Sequence, residues 1–169
     1  MNQNNQTIIN TDLANKKIVV TREFDAPLED VWKAWTERNI LDEWWAPKPW
    51  KARTKSMEFK PGGRWLYAMV GPNGEEHWAR MDFKSIDAKK SYTGQDSFCD
   101  ENGNILSEPP GMFWENKFSE SGGVTKVEVI LTFASEEDLN KMIEMGFKEG
   151  FTAAHGNLDE LLSKKKVSQ

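Results

Sequence analysis

The spacing of apolar residues predicts a β-strand over residues 17–24, followed at once by two short amphipathic helices. In the strand, apolar and polar side chains alternate, and in the helices apolar residues recur every three or four positions. The helical stripes are Leu28, Val31, Trp32 and Trp35, then Ile40, Leu41, Trp44 and Trp45. Helices this short are marginal in water, so they must pack against a larger apolar surface, most simply a sheet.

Capping residues indicate where the two helices begin and end. Asp25 can accept hydrogen bonds from free amides at the start of the first helix, and Pro27 fits its first turn. Thr36 is placed to cap the second helix, which Pro47 and Pro49 end. A helix pair that closes one side of a curved sheet is one way to enclose a pocket.

Six further strands are predicted after the helix pair. They are expected at residues 51–59, 64–70, 75–86, 91–99, 111–120 and 124–134. Turn residues separate several of them, namely Pro61-Gly62-Gly63, Pro72-Asn73-Gly74, Asn102-Gly103 and Gly122-Gly123. Because no helical pattern lies between these strands, antiparallel hairpins are expected rather than parallel crossovers. Their imperfect alternation predicts bulges or strong curvature.

The last element predicted is a long helix with one continuous apolar face. Ser135 is its N-cap, and Asp138 stands where a capping box has its acidic residue. Apolar residues at helical spacing then extend to Leu162. Gly146, Gly150 and Gly156 fall inside this helix, which predicts close packing on the sheet or room for a bound molecule.

These elements predict a single α+β domain in a chain of 169 residues. Residues 16–165 are expected to form the domain. Residues 1–15, which are rich in Asn and Gln, are predicted to be a flexible tail, and residues 166–169 a second tail. The N-terminal segment has neither the basic start nor the apolar run of a secretory signal.

Charge and cysteine content narrow the class of function. The net charge of −5 and pI of about 5.2 argue against a general binder of nucleic acid or anionic membranes. The one basic run, residues 164–166, ends the final helix, where it favours the negative end of the helix dipole. Cys99 is the only cysteine, so an intrachain disulfide is excluded. No stretch is long and apolar enough to insert in a membrane, and a cytoplasmic setting is expected.

Known catalytic and cofactor patterns are absent from the sequence. His77 and His155 form no metal-binding pair, and there is no paired-cysteine motif, so neither a metal nor another cofactor is expected. The Pro61-Gly62-Gly63 turn lacks the pattern of a phosphate-binding loop. No serine occupies a nucleophile elbow. Cys99 lies on a predicted strand, where a cysteine is more often a small core residue than a nucleophile.

Polar residues in an apolar strand phase mark a candidate site. Asn116 falls between Trp114 and Phe118 on one strand face, and Asp96 shares a phase with Tyr92. A buried amide or carboxylate costs about 1–3 kcal/mol unless it is partnered, and such breaks of pattern concentrate at functional sites. The alternative is that a bulge turns both side chains to solvent. A further set, Trp78, Arg80 and Asp82, is equally compatible with an exposed cross-strand patch.

Several segments together resemble a known protein family. They are the block Arg22-Glu23-Phe24-Asp25-Ala26-Pro27, then Val31-Trp32 with Ala34-Trp35-Thr36, Leu41, Trp44-Trp45-Ala46-Pro47, Pro61-Gly62-Gly63, the turn from Gly71 to Gly74, Thr132-Phe133, and the segment from Met145-Gly146 to Gly150. The chain resembles, over residues 17–162, the homologues of the activator of the ninety-kilodalton heat-shock chaperone's ATPase, an AHSA-type family of the START-like, or SRPBCC, superfamily.

The resemblance implies a helix-grip fold, in which a seven-stranded antiparallel sheet curves around the long C-terminal helix and leaves an apolar cavity between them. Members of the superfamily bind lipids, sterols, polyketides or plant hormones, and some are cyclases or hydrolases. The eukaryotic namesake binds the chaperone through a related domain. Fold-level analogy alone does not fix which of these activities a given member has.

The function predicted from the sequence is non-catalytic binding of a small hydrophobic molecule in a tryptophan-lined cavity. The predicted apolar walls are Trp45, Trp50, Trp65, Met69, Trp78, Trp114, Phe147 and Phe151, with Asp96 and Asn116 orienting a polar end of the ligand. One alternative is a cyclase or hydrolase that uses Asp96 as its acid or base. Another is a chaperone-activator-like module with a protein partner. The chain is expected to be a monomer or a homodimer.

Overall fold

The computed structural model describes residues 6–107 and 111–167. Across these residues the chain forms eight β-strands and four α-helices. In chain order they are β1 (Ile8–Asp12), β2 (Lys17–Phe24), α1 (Leu28–Thr36), α2 (Arg38–Trp44), β3 (Lys51–Met57), β4 (Arg64–Val70), β5 (Glu76–Asp87), β6 (Ser91–Cys99), β7 (Phe113–Ser121), β8 (Val124–Thr132), α3 (Glu136–Glu144) and α4 (Phe147–Val167).

The strands form one antiparallel sheet in the order β1-β2-β8-β7-β6-β5-β4-β3. Strands β3 to β8 follow one another as neighbours, and β8 returns to pair with β2. The helices α1 and α2 therefore carry the chain from β2 to the opposite edge of the sheet. The sheet curves around α4, which confirms the predicted helix-grip architecture.

Apolar and polar alternation predicts most strand positions closely. β2, β4 and β6 have the predicted bounds, and the ends of the other predicted strands differ by about one or two residues, as is usual for strand boundaries. The predicted irregularities are also present, because the pairing register shifts between Thr54 and Ser56 and again between Phe83 and Ser85. Each shift bends its strand and increases the local twist of the sheet.

Within the described residues, the two predicted tails are corrected: residues 8–12 of the tail predicted over 1–15 form a strand, and α4 extends to Val167 in the tail predicted over 166–169, while residues 1–5 and 168–169 lie outside the described part of the chain. Ile8–Asp12 form β1, which pairs with β2 along its whole length. It supplies partners for the backbone groups that β2 would otherwise expose as an edge strand. Most of its side chains are exposed, so this strand lacks the alternation by which a half-buried strand is recognised in a sequence.

The start of each short helix also differs from the prediction. Pro27, rather than Asp25, occupies the N-cap of α1, and its own side chain makes no capping hydrogen bond. Thr36 is the last residue of α1 and does not cap α2, whose N-cap is Glu37. The Thr36 hydroxyl is instead buried and donates to the carbonyl oxygen of Trp32 at 2.7 Å, a local bond that competes with capping.

The long C-terminal helix is two helices. The predicted start is confirmed, because the Ser135 side chain accepts a hydrogen bond from the backbone N–H of Asp138 at 3.1 Å. The helix breaks at Met145 and Gly146, where Gly146 has φ +90°. Glycine adopts this left-handed conformation without the Cβ penalty of other residues and commonly ends helices. The apolar periodicity continues across the break, which is why it predicts one helix.

The core lies between the concave face of the sheet and the helices. At its centre Trp35 and Trp44 are 1% and 0% exposed, with ring centroids 5.0 Å apart in an edge-to-face arrangement. The Trp44 indole donates to the carbonyl oxygen of Ala34 at 2.9 Å. Within residues 6–107 and 111–167, no helix has the length and apolar character needed to cross a membrane.

Candidate functional site

A cavity of about 220 Å³ lies between α4 and the concave face of β4–β7. Because side chains alternate between the two faces of a strand, each of these four strands sends residues into it. Its lining residues are Trp45, Pro47, Tyr67, Met69, His77, Ala79, Asp96, Ser97, Phe98, Met112, Trp114, Met142, Met145, Gly146, Phe147, Gly150 and Phe151. The exposed side chains of His77 and Met145 mark its mouth.

Aromatic rings make up much of the cavity wall. The Trp45 and Trp114 centroids are 5.6 Å apart, and Trp114 meets Phe151 edge to face at the same distance. Phe147 lies one turn before Phe151 on α4, with the two ring centroids 5.3 Å apart. Contacts of this kind fix ring positions by geometry as well as by burial, so these walls are held in place without a ligand.

Asp96 is the only acidic side chain among the described residues that line the cavity. Its Oδ1 accepts a hydrogen bond from the backbone N–H of Met112 at 2.7 Å, and its Oδ2 accepts one from the Trp114 indole at 2.8 Å. Burial raises the pKa of the carboxyl to about 6, against the lowering effect of both hydrogen bonds. Gly111 makes this arrangement possible, since a Cβ there would lie 2.3 Å from the Asp96 carbonyl oxygen.

Tyr67 supplies a neutral polar group to the same cavity. Its hydroxyl accepts a hydrogen bond from the Trp45 indole at 3.0 Å. Burial, and then the nearby Asp96 carboxylate, raise the pKa of the phenol, so the hydroxyl stays protonated. A hydroxyl both donates and accepts, so Tyr67 retains a proton that it can donate to a ligand. The cavity thus combines apolar walls with the Asp96 carboxylate and the Tyr67 hydroxyl.

The break between α3 and α4 leaves the space for this cavity. Gly146 and Gly150 both line it, and a Cβ at Gly150 would meet only Pro47 Cγ, at 3.8 Å. A Cβ at Gly156 would meet nothing within 4 Å. The sequence predicted two possible roles for these helix glycines. Gly150 and Gly156 do not pack closely on the sheet, whereas Gly146 and Gly150 leave room for the cavity.

The model of the family described as "Activator of Hsp90 ATPase homolog 1-like protein" matches residues 25–163. The chain belongs to this family. Membership supports a ligand-binding or activator-like module and does not specify a ligand. No curated protein matches the chain significantly.

Solved structures of similar proteins agree with the family assignment. The chain is similar to a protein of Arthrobacter aurescens, with 32% identity and a TM-score of 0.88, covering 93% of this chain and 91% of that one. It is also similar to protein Ms6760 of Mycobacterium smegmatis, with 30% identity and a TM-score of 0.86, covering 94% and 98%. An AHSA1 protein of Silicibacter pomeroyi shares 15% identity over 88% and 99% with a TM-score of 0.69, which shows the fold alone.

Within this family fold, the cavity brings together six of the ten residues that the sequence nominates. They are Trp45, Met69, Asp96, Trp114, Phe147 and Phe151. These six come from β4, β6, β7, α4 and the segment after α2, so the sequence pattern identifies residues that are distant along the chain and close in space.

Two of the remaining tryptophans, Trp65 and Trp50, lie beside the cavity but do not line it. Trp65 is 3% exposed and stacks behind Tyr67 with a centroid separation of 4.0 Å, while its indole donates to the Thr54 hydroxyl at 3.0 Å. Trp50 packs on the ring of His77 outside the cavity, at 5.3 Å. Both rings lie near the cavity, but the Tyr67 ring separates Trp65 from it, and the His77 ring separates Trp50 from it.

Trp78 and Asn116 do not line the cavity. Trp78 is on the opposite face of the sheet, where the charged groups of Arg53 and Lys55 lie 5.7 and 5.8 Å from its ring. Asn116 is on the concave face and 1% exposed, but away from the cavity lining. Among the described residues, neither polar atom of its amide makes a hydrogen bond of standard geometry.

The predicted cross-strand patch of Arg80 and Asp82 is an ion-pair network on the outer face. The Asp82 carboxylate pairs with Arg64 at 3.1 Å and with Arg80 at 2.9 Å. The Arg80 guanidinium also donates to the carbonyl oxygen of Gly103 at 2.6 Å, tying down the loop after β6. This network lies on the side of the sheet opposite the cavity, and neither Arg64 nor Arg80 lines the cavity.

Several methionines at the cavity are absent from the residues that the sequence pattern predicts for it. Met112, Met142 and Met145 line it together with the predicted Met69, which makes four of the seven methionines in the chain. Methionine is flexible and polarisable and is common at surfaces that accept varied apolar ligands. The high methionine content was the one signal in the sequence for these residues. Their spacing along the chain does not show that β4, the start of β7 and α3 meet around one cavity.

A second buried polar cluster lies behind the cavity, around His155 on α4. The His155 ring is 1% exposed, and its Nδ1 is 2.9 Å from the Thr7 hydroxyl. Burial, and then the positive charge of Arg22, lower the pKa of His155 to about 3, so its ring is neutral. Arg22 is itself 5% exposed and forms an ion pair with Asp159. This cluster joins β2 to α4 and takes no part in the cavity wall.

Proposed function

We propose that this chain binds a small apolar molecule in the cavity and does not transform it. The observation that carries the proposal is a preformed apolar cavity with its polar groups concentrated at Asp96 and Tyr67. Ligand sites are typically concave and mainly apolar, with a few polar groups that fix orientation. The volume of about 220 Å³ lies somewhat below the range of common ligand pockets, which favours a compact ligand.

The proposed contacts follow from the lining. Trp45, Trp114 and Phe151 form the aromatic wall, and Met69 with Met112 supplies adaptable apolar surface. Asp96 accepts a hydrogen bond from the polar end of the ligand, and the Tyr67 hydroxyl, which can donate or accept, is available to the same end. Asn116, which the sequence analysis nominates for this role, is left out because it does not reach the cavity.

Gly150 offers a direct test, because a larger side chain there enters the cavity. A Gly150→Leu substitution places its side chain beside Pro47 without requiring a left-handed backbone. Gly156→Leu is the matched control, since Gly156 is on the same helix, is exposed, and has open space around it. Both substitutions raise helix propensity by about 1 kcal/mol, so a loss of binding in one alone reports the cavity rather than the fold.

Two measurements use this pair of variants. Native mass spectrometry of protein purified gently from its own source should show a retained adduct that Gly150→Leu loses and Gly156→Leu keeps. In parallel, 4-phenyl-1-butanol is titrated into the protein while the indole N–H resonances of Trp45 and Trp114 are followed by NMR. Shifts of these resonances that persist in Gly156→Leu and disappear in Gly150→Leu support the proposal. Absence of both an adduct and any indole shift contradicts it.

Catalysis is a second candidate function, favoured by the pKa of Asp96. A carboxyl with a pKa of about 6 can exchange a proton near neutral pH, and the protonated Tyr67 beside it can donate a hydrogen bond to a reacting oxygen. This arrangement suits acid–base chemistry, such as hydrolysis or cyclisation, on an apolar substrate. A panel of apolar esters, assayed with the unaltered chain and with Asp96→Asn, separates the two functions. Turnover that Asp96→Asn abolishes while binding survives indicates an enzyme.

A further inference from the structure

We infer that the ligand carries a basic nitrogen, and that its cationic form pairs with Asp96 inside the aromatic walls of the cavity. This inference rests on the proposed binding function and names the chemical class of the ligand. The class is a compact apolar amine, protonated at neutral pH, rather than a neutral lipid or an anion.

The first argument is the missing counter-ion of Asp96. Both of its hydrogen bonds come from neutral donors, the Met112 backbone N–H and the Trp114 indole. No lysine or arginine occurs among the described residues that line the cavity. By contrast, Asp82 on the outer face pairs with two arginines. Buried charges are ordinarily paired, so an unpaired carboxylate in an apolar cavity is a place where a cation is missing.

The Asp96 carboxylate also has hydrogen-bond acceptor sites that no described residue uses. A carboxylate offers about four lone-pair sites, and the two observed hydrogen bonds use about half of them. An ammonium group is a donor without acceptor capacity, so it matches the free sites with no repulsion. Charge-assisted hydrogen bonds of this kind are stronger than those between neutral groups. Asp96 can therefore bind a cationic nitrogen without giving up its present partners.

The other titratable groups at the cavity do not supply the missing charge. Tyr67 is neutral, because burial and the Asp96 carboxylate raise the pKa of its phenol, and its oxygen already accepts from Trp45. His77 is exposed at the mouth and packs on the Trp50 ring, 5.3 Å between centroids. Within the described part of the chain, no salt bridge reaches Asp96 from any neighbouring strand or helix.

The third argument is the arrangement of the aromatic rings. The faces of tryptophan, tyrosine and phenylalanine attract cations within about 6 Å of the ring centroid, most strongly tryptophan. Trp45 and Trp114, with centroids 5.6 Å apart, stand on the same cavity as the carboxylate, and Phe151 is 5.6 Å from Trp114. A cation beside Asp96 thus lies in a cavity walled by these rings, of which Trp114 turns its N–H edge to the carboxylate. A neutral alcohol gains the apolar contact but not the charge interactions.

The test compares two probes of nearly equal shape, 4-phenylbutylamine and 4-phenyl-1-butanol. Affinities are measured by isothermal titration calorimetry at about 0.15 M salt, where long-range attraction to the net negative chain is screened. The indole resonances of Trp45 and Trp114 report whether each probe enters the cavity. We expect the amine to bind at least about tenfold more tightly than the alcohol.

Two variants assign the preference to Asp96. Asp96→Asn should bring the affinity of the amine down to that of the alcohol. Asp82→Asn removes the same charge from the opposite face of the neighbouring strand and should leave the preference intact. Because Asp96→Asn also alters two hydrogen bonds, a third measurement uses the unaltered chain. Between about pH 7.5 and pH 5 the alkylamine stays protonated while Asp96 titrates, so the preference for the amine should shrink as the pH falls.

Each remaining outcome decides the question. Equal affinities, or tighter binding of the alcohol, overturn the cationic ligand and leave the cavity function standing. A preference for the amine that Asp96→Asn retains in a folded protein also overturns it, because the attraction then comes from the net charge of −5. If neither probe moves the indole resonances, this inference fails, and if native mass spectrometry also shows no retained adduct, the cavity function fails with it.

Discussion

Trp114 donates its indole N–H to the Asp96 carboxylate at 2.8 Å, so Trp114 both lines the cavity and positions the carboxylate of Asp96. The two residues lie on neighbouring strands, and the backbone N–H of Asp96 donates to the carbonyl oxygen of Met112, two residues before Trp114. Carboxylate and ring are therefore fixed to the same rigid pair of strands. A ligand that touches the ring is held at a defined distance from the charge.

Trp114→Phe should raise the pKa of Asp96 above its value of about 6. The substitution keeps an aromatic ring and removes the hydrogen bond that lowers the pKa of this carboxyl. A carbon-detected NMR titration of the Asp96 carboxyl measures the change. Trp78→Phe, on the outer face of the sheet, is the control and should leave that pKa where it is. An unchanged or lower pKa in Trp114→Phe would show that the indole bond does not stabilise the carboxylate.

Asp96 should make the protein less stable as pH rises from about 4 to 7. The pKa of its carboxyl is about 6 when folded, against an ordinary value of 3.8, so the folded state holds this proton more tightly than the unfolded state. The resulting contribution to the free energy of unfolding is fully present below about pH 4 and is lost through about pH 6, to the order of 2–3 kcal/mol.

Urea unfolding at a series of pH values tests this linkage. The stability of the unaltered chain minus that of Asp96→Asn should fall across this window, and the difference isolates Asp96 from all other groups. A difference that does not vary with pH would mean that the carboxyl titrates normally in the folded protein.

His155 should make the protein more stable as the pH rises, over much of the pH range in which Asp96 makes it less stable. The pKa of its ring is about 3 when folded and 6.5 ordinarily, so the unfolded state binds the proton first on acidification. Its stabilising contribution is complete above about pH 6.5 and is lost as the pH falls toward 3, by roughly 2 kcal/mol at about pH 5.

The His155→Gln variant checks this by urea unfolding. As the pH falls from about 6.5 to 5, the stability of the variant should rise relative to that of the unaltered chain, while its stability at pH 7 also reports lost packing and the Thr7 contact. Equal losses in the two proteins would contradict a neutral, buried ring. Because Asp96 and His155 oppose each other, the unaltered chain should show a flatter pH profile than either variant.

The sequence predicts the sheet better than the site, and Asn116 shows why. Alternation correctly places Asn116 on the concave face with Trp114 and Phe118. It does not show that different helices cover different parts of that face. Phe118 packs under α1, where its ring centroid is 5.0 Å from that of Trp32, whereas Trp114 faces the cavity beside α4. Asn116 falls on the covered side, a distinction that only tertiary packing makes.

Trp78 illustrates a different limit. On its strand, β5, Trp78 shares a phase with the charged residues Arg80 and Asp82, whereas Ala79, Met81 and Phe83 stand in the other phase. This alternation indicates the outer face for Trp78, and its nomination for the cavity wall rested on its ring alone. Tyr67 is not among the predicted site residues. Its role depends on Trp45 and Asp96, which are distant from it in the sequence.

The break between α3 and α4 leads to a final prediction, that two alanine substitutions in glycines of this region have opposite effects. Gly146→Ala places a Cβ on a residue with φ +90° and should destabilise the protein by about 1 kcal/mol or more. Gly156→Ala lies inside α4 with open space around it and should stabilise by about 0.5–1 kcal/mol. Urea unfolding of both variants gives the comparison. If Gly146→Ala stabilised the protein as much as Gly156→Ala, the C-terminal segment would be one continuous helix, and the space beside Gly150 would need another explanation.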